Sequence, residues 1–204
     1  LEANGVPVYG KSAIPLKTPE GSIELDLVPG LNRIKAFLTN QQGERSETKF
    51  LSYNYPSANS PQNLYILSIG VSDYQQDELD LNYAAKDALD MVELFRQSSH
   101  FKKVFSKTIT NLDAKRESII EAKHFLSGAQ AQDQVILFLA GHGFLDTHNN
   151  YYFGTTDIDS SAPEQRGLSY NSITNLLDEI TSRNKLLMLD PCHSGEVTGT
   201  IRTV

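Results

Sequence analysis

The stretch Lys185–Glu196, reading KLLMLDPCHSGE, constrains this chain more than any other. Its apolar run from Leu186 into Asp190 has the pattern of a strand buried on both faces, the kind found in parallel sheets. Pro191 ends the run, and Cys192, the only cysteine in 204 residues, follows at once. The thiol is therefore expected on the loop leaving the strand's carboxyl end, where open α/β sheets bind their ligands. Gln134–Ala140 (QVILFLA) has the same design and empties into Gly141-His142-Gly143. His142 precedes Cys192 by fifty positions, which leaves room for a crossover helix between two neighbouring parallel strands. A thiol and an imidazole at adjacent strand ends are the two parts of a nucleophilic dyad.

From residue 64 onward, apolar runs alternate with helical patterns, which is the signature of an α/β fold. Core strands are expected at Leu64–Val71, Lys103–Ile109, Gln134–Ala140 and Lys185–Asp190. Asn82–Gln97 carries Ala84, Ala85, Ala88, Met91, Val92 and Phe95 at helical spacing. Further helices are expected from Asp113, as N-cap, to Leu126 and over Ser169–Ile180. Twelve residues remain after Cys192, too few for another strand, so the sheet is expected to be unfinished.

Residues 1–54 differ in kind. Ser22–Val28 (SIELDLV) alternates apolar and polar residues, and Arg33–Leu38 and Thr48–Tyr53 read as further strands separated by turns. The pattern resembles the closing half of an immunoglobulin-like β-sandwich, which needs about seven strands over roughly 100 residues. Tyr55–Gln62 (YPSANSPQ) is rich in Pro, Ser and Asn and reads as a linker. The expected organisation is thus a partial β segment over 1–54, a linker over 55–62 and an α/β domain over 63–204.

The bulk composition excludes several classes. Hydrophobic residues make up 39% and charged residues 21%, ordinary values for a globular protein. No apolar run approaches the roughly 18–20 residues of a membrane span. A net charge of −7 argues against nucleic acid as partner. A single cysteine leaves no internal disulfide and suits a reducing, cytoplasmic compartment. It also cannot start a structural zinc set. A cysteine phosphatase loop would need an arginine six positions after the thiol, where Thr198 stands, and no glycine-rich phosphate cradle occurs. The chain begins at Leu1 with no leader, and it reads as part of a longer polypeptide.

The blocks GHG (141–143) and DPCHSGE (190–196), with LYILSIGVSDY and LNYAAKDALDMVELF upstream, resemble the caspase-like cysteine peptidases, above all the metacaspase and orthocaspase branch. The histidine-to-cysteine interval is the one general for caspases. The resemblance covers about residues 64–204. It implies a three-layer sandwich with a mostly parallel central sheet, and an endopeptidase with Cys192 as nucleophile and His142 as acid/base. It also implies an oxyanion hole from the backbone N–H groups of Gly143 and Cys192. Asp190 stands two residues before the cysteine, where caspases proper carry glutamine, and Asp87 of AAKDA stands where metacaspases carry a second pocket carboxylate. Together they imply cleavage after Arg or Lys, because paired carboxylates bind a guanidinium through charge-assisted hydrogen bonds. The final strands of the family lie beyond the cysteine block, so a C-terminal (small-subunit) segment is expected as a partner chain or continuation. Arg202 lies in a region suited to self-cleavage.

Each of these residues also has a plainer reading. A lone cysteine is more often a buried, inert thiol, and His142 could simply pack beneath a loop. Asp190 could cap a turn and Asp87 could face solvent. Asp157 and Asp159 could hold calcium, but acidic loops are usually just solvated, so no metal or other cofactor is expected. His193 adjoins Cys192 and points away from it, a structural position. An inactive caspase-like scaffold or signalling module is the alternative to an enzyme.

Overall fold

The computed structural model describes residues 1–8, 14–18, 20–56 and 62–193, with Cys192 and His193 defined by their backbone alone. The linker expectation falls largely on residues 57–61, and the self-cleavage expectation on Arg202; both lie outside the described residues.

The described N-terminal residues form an antiparallel sheet of four strands, in the order β2-β1-β3-β4. Its strands are β1 (Glu2–Ala3), β2 (Val6–Pro7), β3 (Gly30–Ala36) and β4 (Lys49–Tyr55). Ser22–Val28, expected as a strand, is not one. At Val28 the reason is local. The side-chain amide of Asn32 donates to the Val28 carbonyl (2.7 Å) and its Oδ1 accepts from the Val28 N–H (3.0 Å). These are backbone groups that a ladder partner would need. Asn32 is 1% exposed, and closes the turn before β3.

The second sheet is mixed, and has six strands among the described residues. It comprises β5 (Leu64–Gly70), β6 (Val104–Thr110), β7 (Gln134–Leu145), β8 (Tyr151–Phe153), β9 (Leu168–Ser169) and β10 (Asn184–His193). The order is β6-β5-β7-β8-β9, with β10 on the other edge of β7. β6, β5, β7 and β10 run parallel; β8 and β9 are antiparallel to their neighbours. The last β5–β7 pair is Gly70 with Ala140, and β8 takes over that edge at Gly143. All four expected core strands are present, but β10 is longer than the sequence implied. Pairing continues through Pro191 to His193. Cys192 therefore lies within the strand, not on a loop beyond it. Proline is tolerated there because β10 is an edge strand among the described residues.

Among the described residues five α-helices accompany the sheet: α1 (Ala84–Arg96), α2 (Arg116–Glu121), α3 (Lys123–Leu126), α4 (Pro163–Arg166) and α5 (Tyr170–Leu177). α5 begins as its sequence implied, with Ser169 Oγ accepting from the Ser172 N–H. The expected helix from Asp113 is corrected. Asp113 closes a 3-10 turn, and the helix starts at Arg116 and breaks at Ala122. Asn111 adopts φ 48°, and its side-chain oxygen accepts from the Ser72 N–H, which turns the chain before the helix can start.

Strand alternation divides the core. Leu67, Ile69, Leu137 and Leu139 pack with Ile119, Leu126, Ile173 and Leu176 on one face. Leu64, Ile66 and Ile136 pack with Val92 on the other, and Phe138 and Ala140 pack there with Ala84 and Ala88. Burying each Leu, Ile, Val or Phe among them stabilises by about 1.5–3 kcal/mol, and helix, sheet and helix form three layers. α1 lies tight on β5. Ser72 Oγ accepts from the Ala85 N–H, Ser68 Oγ donates to the Ala88 carbonyl, and a Cβ on Gly70 would lie 2.3 Å from the Ala84 carbonyl oxygen.

Gly70→Ala should therefore push α1 off the sheet and lower stability by about 1–3 kcal/mol, read as a lower urea midpoint. An unchanged midpoint would mean that α1 can slide at no cost.

Candidate active site

β7 and β10 meet at the carboxyl end of the sheet in a parallel register that pairs Cys192 with His142 and His193 with Gly143. The sequence thus brings its cysteine and histidine onto neighbouring strands at the same height. The side chain of Cys192 lies outside the described residues, so the pairing is one of backbone position.

His142 is 8% exposed. Its Nε2 lies 2.8 Å from the carbonyl oxygen of Leu79. A carbonyl only accepts, so the neutral ring carries its proton on Nε2 and leaves the Nδ1 lone pair open. Nδ1 is buried with no hydrogen-bond partner among the described residues. The ring packs against Tyr74 (centroids 5.4 Å apart) and edge-on to Phe144 (5.9 Å). The His142 N–H donates to Tyr74 Oη at 3.0 Å. One nitrogen is anchored, and the other has no hydrogen-bond partner among the described residues.

Both glycines flanking His142 are required by close packing. A Cβ at Gly141 would sit 3.0 Å from Tyr74 Oη and 3.1 Å from the Phe153 ring. A Cβ at Gly143 would sit 2.7 Å from the ring of Tyr151 and 3.0 Å from its Oη. Tyr151 Oη is itself buried with no partner among the described residues, and burial pushes its phenol up to about 12.

The two carboxylates singled out in the sequence come together. Asp190 pairs in register with Ala140, whose side chain faces α1, so Asp190 shares that face. Asp87 stands in the first turn of α1 and is half-buried rather than facing solvent. Both line one open cleft of about 880 Å³, with Asp90 beside them and Met91, Leu94, Phe138, Leu187, Met188 and Leu189 forming its apolar part. Asp90 also pairs with Lys86 one turn away. Asp157 and Asp159 point to other partners. Asp157 meets Arg166 at 3.1 Å, and Asp159 accepts from Ser161, which holds its carboxyl below the usual range. Among the described residues no three His, Cys, Asp or Glu side chains cluster as a metal site.

Three contributors were invisible in the sequence: the Leu79 carbonyl, Tyr74 and Tyr151. A backbone carbonyl has no residue-type signal, and a tyrosine just past a strand reads as ordinary core. No helix of the described residues is long and apolar enough to cross a membrane.

The sequence model of the caspase domain matches residues 65–203, so the chain belongs to the caspase domain family. None of the curated proteins matches. Among solved structures, the crystal structure of protein GSU0716 from Geobacter sulfurreducens superposes with a TM-score of 0.51 at 23% identity. The match covers 67% of this chain and 53% of that one, so the chain spans about half the length of that structure and shares its fold.

The orphaned phenol gives a prediction with a definite sign. A buried hydroxyl without a partner costs about 1–3 kcal/mol, so Tyr151→Phe should be at least as stable as wild type at neutral pH. Unfolded tyrosine loses its proton near 10. The raised folded value means that wild type loses stability as pH rises from about 10 to about 12. Urea midpoints across that window should fall less steeply for Tyr151→Phe. Parallel curves would show that the Tyr151 phenol loses its proton no later in the folded protein than in the unfolded chain.

Proposed function

We propose that this chain is the catalytic part of a metacaspase-like or orthocaspase-like cysteine endopeptidase that cleaves after Arg or Lys. The single observation that carries the proposal is the imidazole of His142, tied at Nε2 and open at Nδ1, on the strand paired in register with Cys192. In the proposed reaction, Nδ1 takes the thiol proton and the thiolate attacks the scissile carbonyl. The carbonyl oxygen becomes an oxyanion held by the backbone N–H groups of Gly143 and Cys192, which need to lie about 2.7–3.1 Å from it. Collapse breaks the C–N bond, and Nδ1 returns its proton to the leaving amine. Water, deprotonated by the same nitrogen, then hydrolyses the thioester and restores the thiol.

Specificity is assigned to Asp87 and Asp190. Among the described residues, both line a cleft whose only charged lining residues are three aspartates, over apolar side chains suited to the stem of an Arg or Lys. A C-terminal segment, as continuation or separate chain, is proposed to complete the cleft beside β10. The N-terminal β segment is proposed as an immunoglobulin-like appendage serving spacing or contact. A non-catalytic scaffold is the competing reading. It is favoured by the exposed apolar residues of β4, where Phe50 is 77% and Leu51 62% exposed.

Reporter peptides ending in Arg, Lys or Asp separate these readings. Wild type should hydrolyse the Arg and Lys reporters, and Cys192→Ala should not. Asp190→Ala and Asp87→Ala should each reduce kcat/KM on the basic reporters by about tenfold or more, since a charge-assisted contact contributes roughly 1.5–3 kcal/mol. Equal rates for wild type and Cys192→Ala would leave the scaffold. A preference for Asp would overturn the basic pocket while keeping the peptidase.

A further inference from the structure

We infer that Tyr74 is a positioning residue for His142, holding the stretch of β7 backbone from which the imidazole projects. The inference rests on the dyad proposed above and assigns a residue outside it.

The backbone explains the need. On the edge of β7 that faces β5 and β8, the β5 ladder ends at Ala140 and the β8 ladder begins at Gly143. His142 falls in the gap between them. Its carbonyl is taken by the Gly154 N–H at 2.8 Å, but its own N–H has no strand opposite it. Tyr74 Oη fills that place, accepting the His142 N–H at 3.0 Å. A buried N–H left unpaired would cost as much as a lost hydrogen bond and would free the strand to twist at this residue. Gly141 keeps the path open, because a Cβ there would lie 3.0 Å from the same hydroxyl and press on it.

The loop delivers two contacts to one residue. Tyr74 holds the backbone of His142, and five residues later the Leu79 carbonyl holds Nε2. Their spacing is kept by Asp80, whose Oδ1 accepts from the Tyr74 N–H at 2.8 Å and so closes the loop on itself. The Leu81 N–H donates to the Ser72 carbonyl, and the Gln75 N–H to the Thr156 carbonyl, both at 2.8 Å. Tyr74 is 5% and Leu79 2% exposed, so the hydroxyl and the carbonyl are fixed by packing as well as by hydrogen bonds. Losing Tyr74 Oη would leave the ring in place and loosen the direction in which Nδ1 points.

The experiment compares wild type, Tyr74→Phe, Asp80→Ala and Asp80→Asn. It reads kcat and KM on an Arg-ended reporter and the pH profile of Cys192 alkylation by iodoacetamide. Tyr74→Phe should lower kcat about tenfold with KM unchanged, and should move the alkylation profile up by about one pH unit, as the thiolate loses an oriented imidazole. Asp80→Ala should move both readouts in the same direction. Asp80→Asn, which keeps an acceptor oxygen, should stay close to wild type. If Tyr74→Phe does not fold, the Asp80 pair carries the test alone. A folded Tyr74→Phe with wild-type kcat and an unshifted alkylation profile would overturn the inference, as would equal effects of Asp80→Ala and Asp80→Asn. If wild type cleaves no reporter yet Tyr74→Phe still shifts the alkylation profile, the peptidase proposal falls and the positioning role stands.

Discussion

The register between β7 and β10 is the constraint on which the rest of the site depends. Two strands hydrogen-bonded in parallel cannot shift by one residue without moving every side chain to the opposite face. Apolar residues on both faces of β7 are buried, from Val135 through Ala140, so a slip would place each of them against the wrong neighbours. Core packing far from the chemistry therefore holds Cys192 opposite His142 and Asp190 opposite Ala140. The same alignment puts Asp190 on the face covered by α1, where Asp87 waits. One sheet register thus serves both the candidate dyad and the candidate specificity cleft.

Close approach is the second theme. Gly70 lets α1 settle onto β5, which brings Asp87 toward the sheet's carboxyl end. Gly141 and Gly143 let Tyr74, Phe153 and Tyr151 reach the backbone on either side of His142. In each case the missing side chain admits a neighbour that positions a residue of the candidate site. Solvent is kept from the histidine, and what replaces it is a carbonyl, a hydroxyl and two aromatic rings. A single fixed donor–acceptor contact at Nε2 then decides which nitrogen is open for proton transfer.

Much of this was legible in the residues. Long apolar runs reported the core strands well because strands buried on both faces have no polar alternation to confuse them. The helical stripe at Ala84, Ala88 and Val92 reported α1 because one face of that helix is buried and the other is not. Where the sequence misled, a local side chain had intervened. Asn32 occupied the backbone groups of Val28, and Asn111 turned the chain so that the next helix started three residues past Asp113. Pro191 read as a stop because proline lacks an N–H, yet an edge strand can accept that loss and pairing runs on to His193.

The sequence alone determined the four parallel core strands, helix α1, the caspase resemblance and the candidate reactive groups, because each depends on residue type and spacing along the chain. Only the tertiary structure decided which nitrogen of His142 is open, that Asp87 and Asp190 share one cleft, and that Tyr74 and the Leu79 carbonyl hold the histidine. Those depend on register, on packing distance and on backbone groups common to every residue, and chain order does not encode any of them directly.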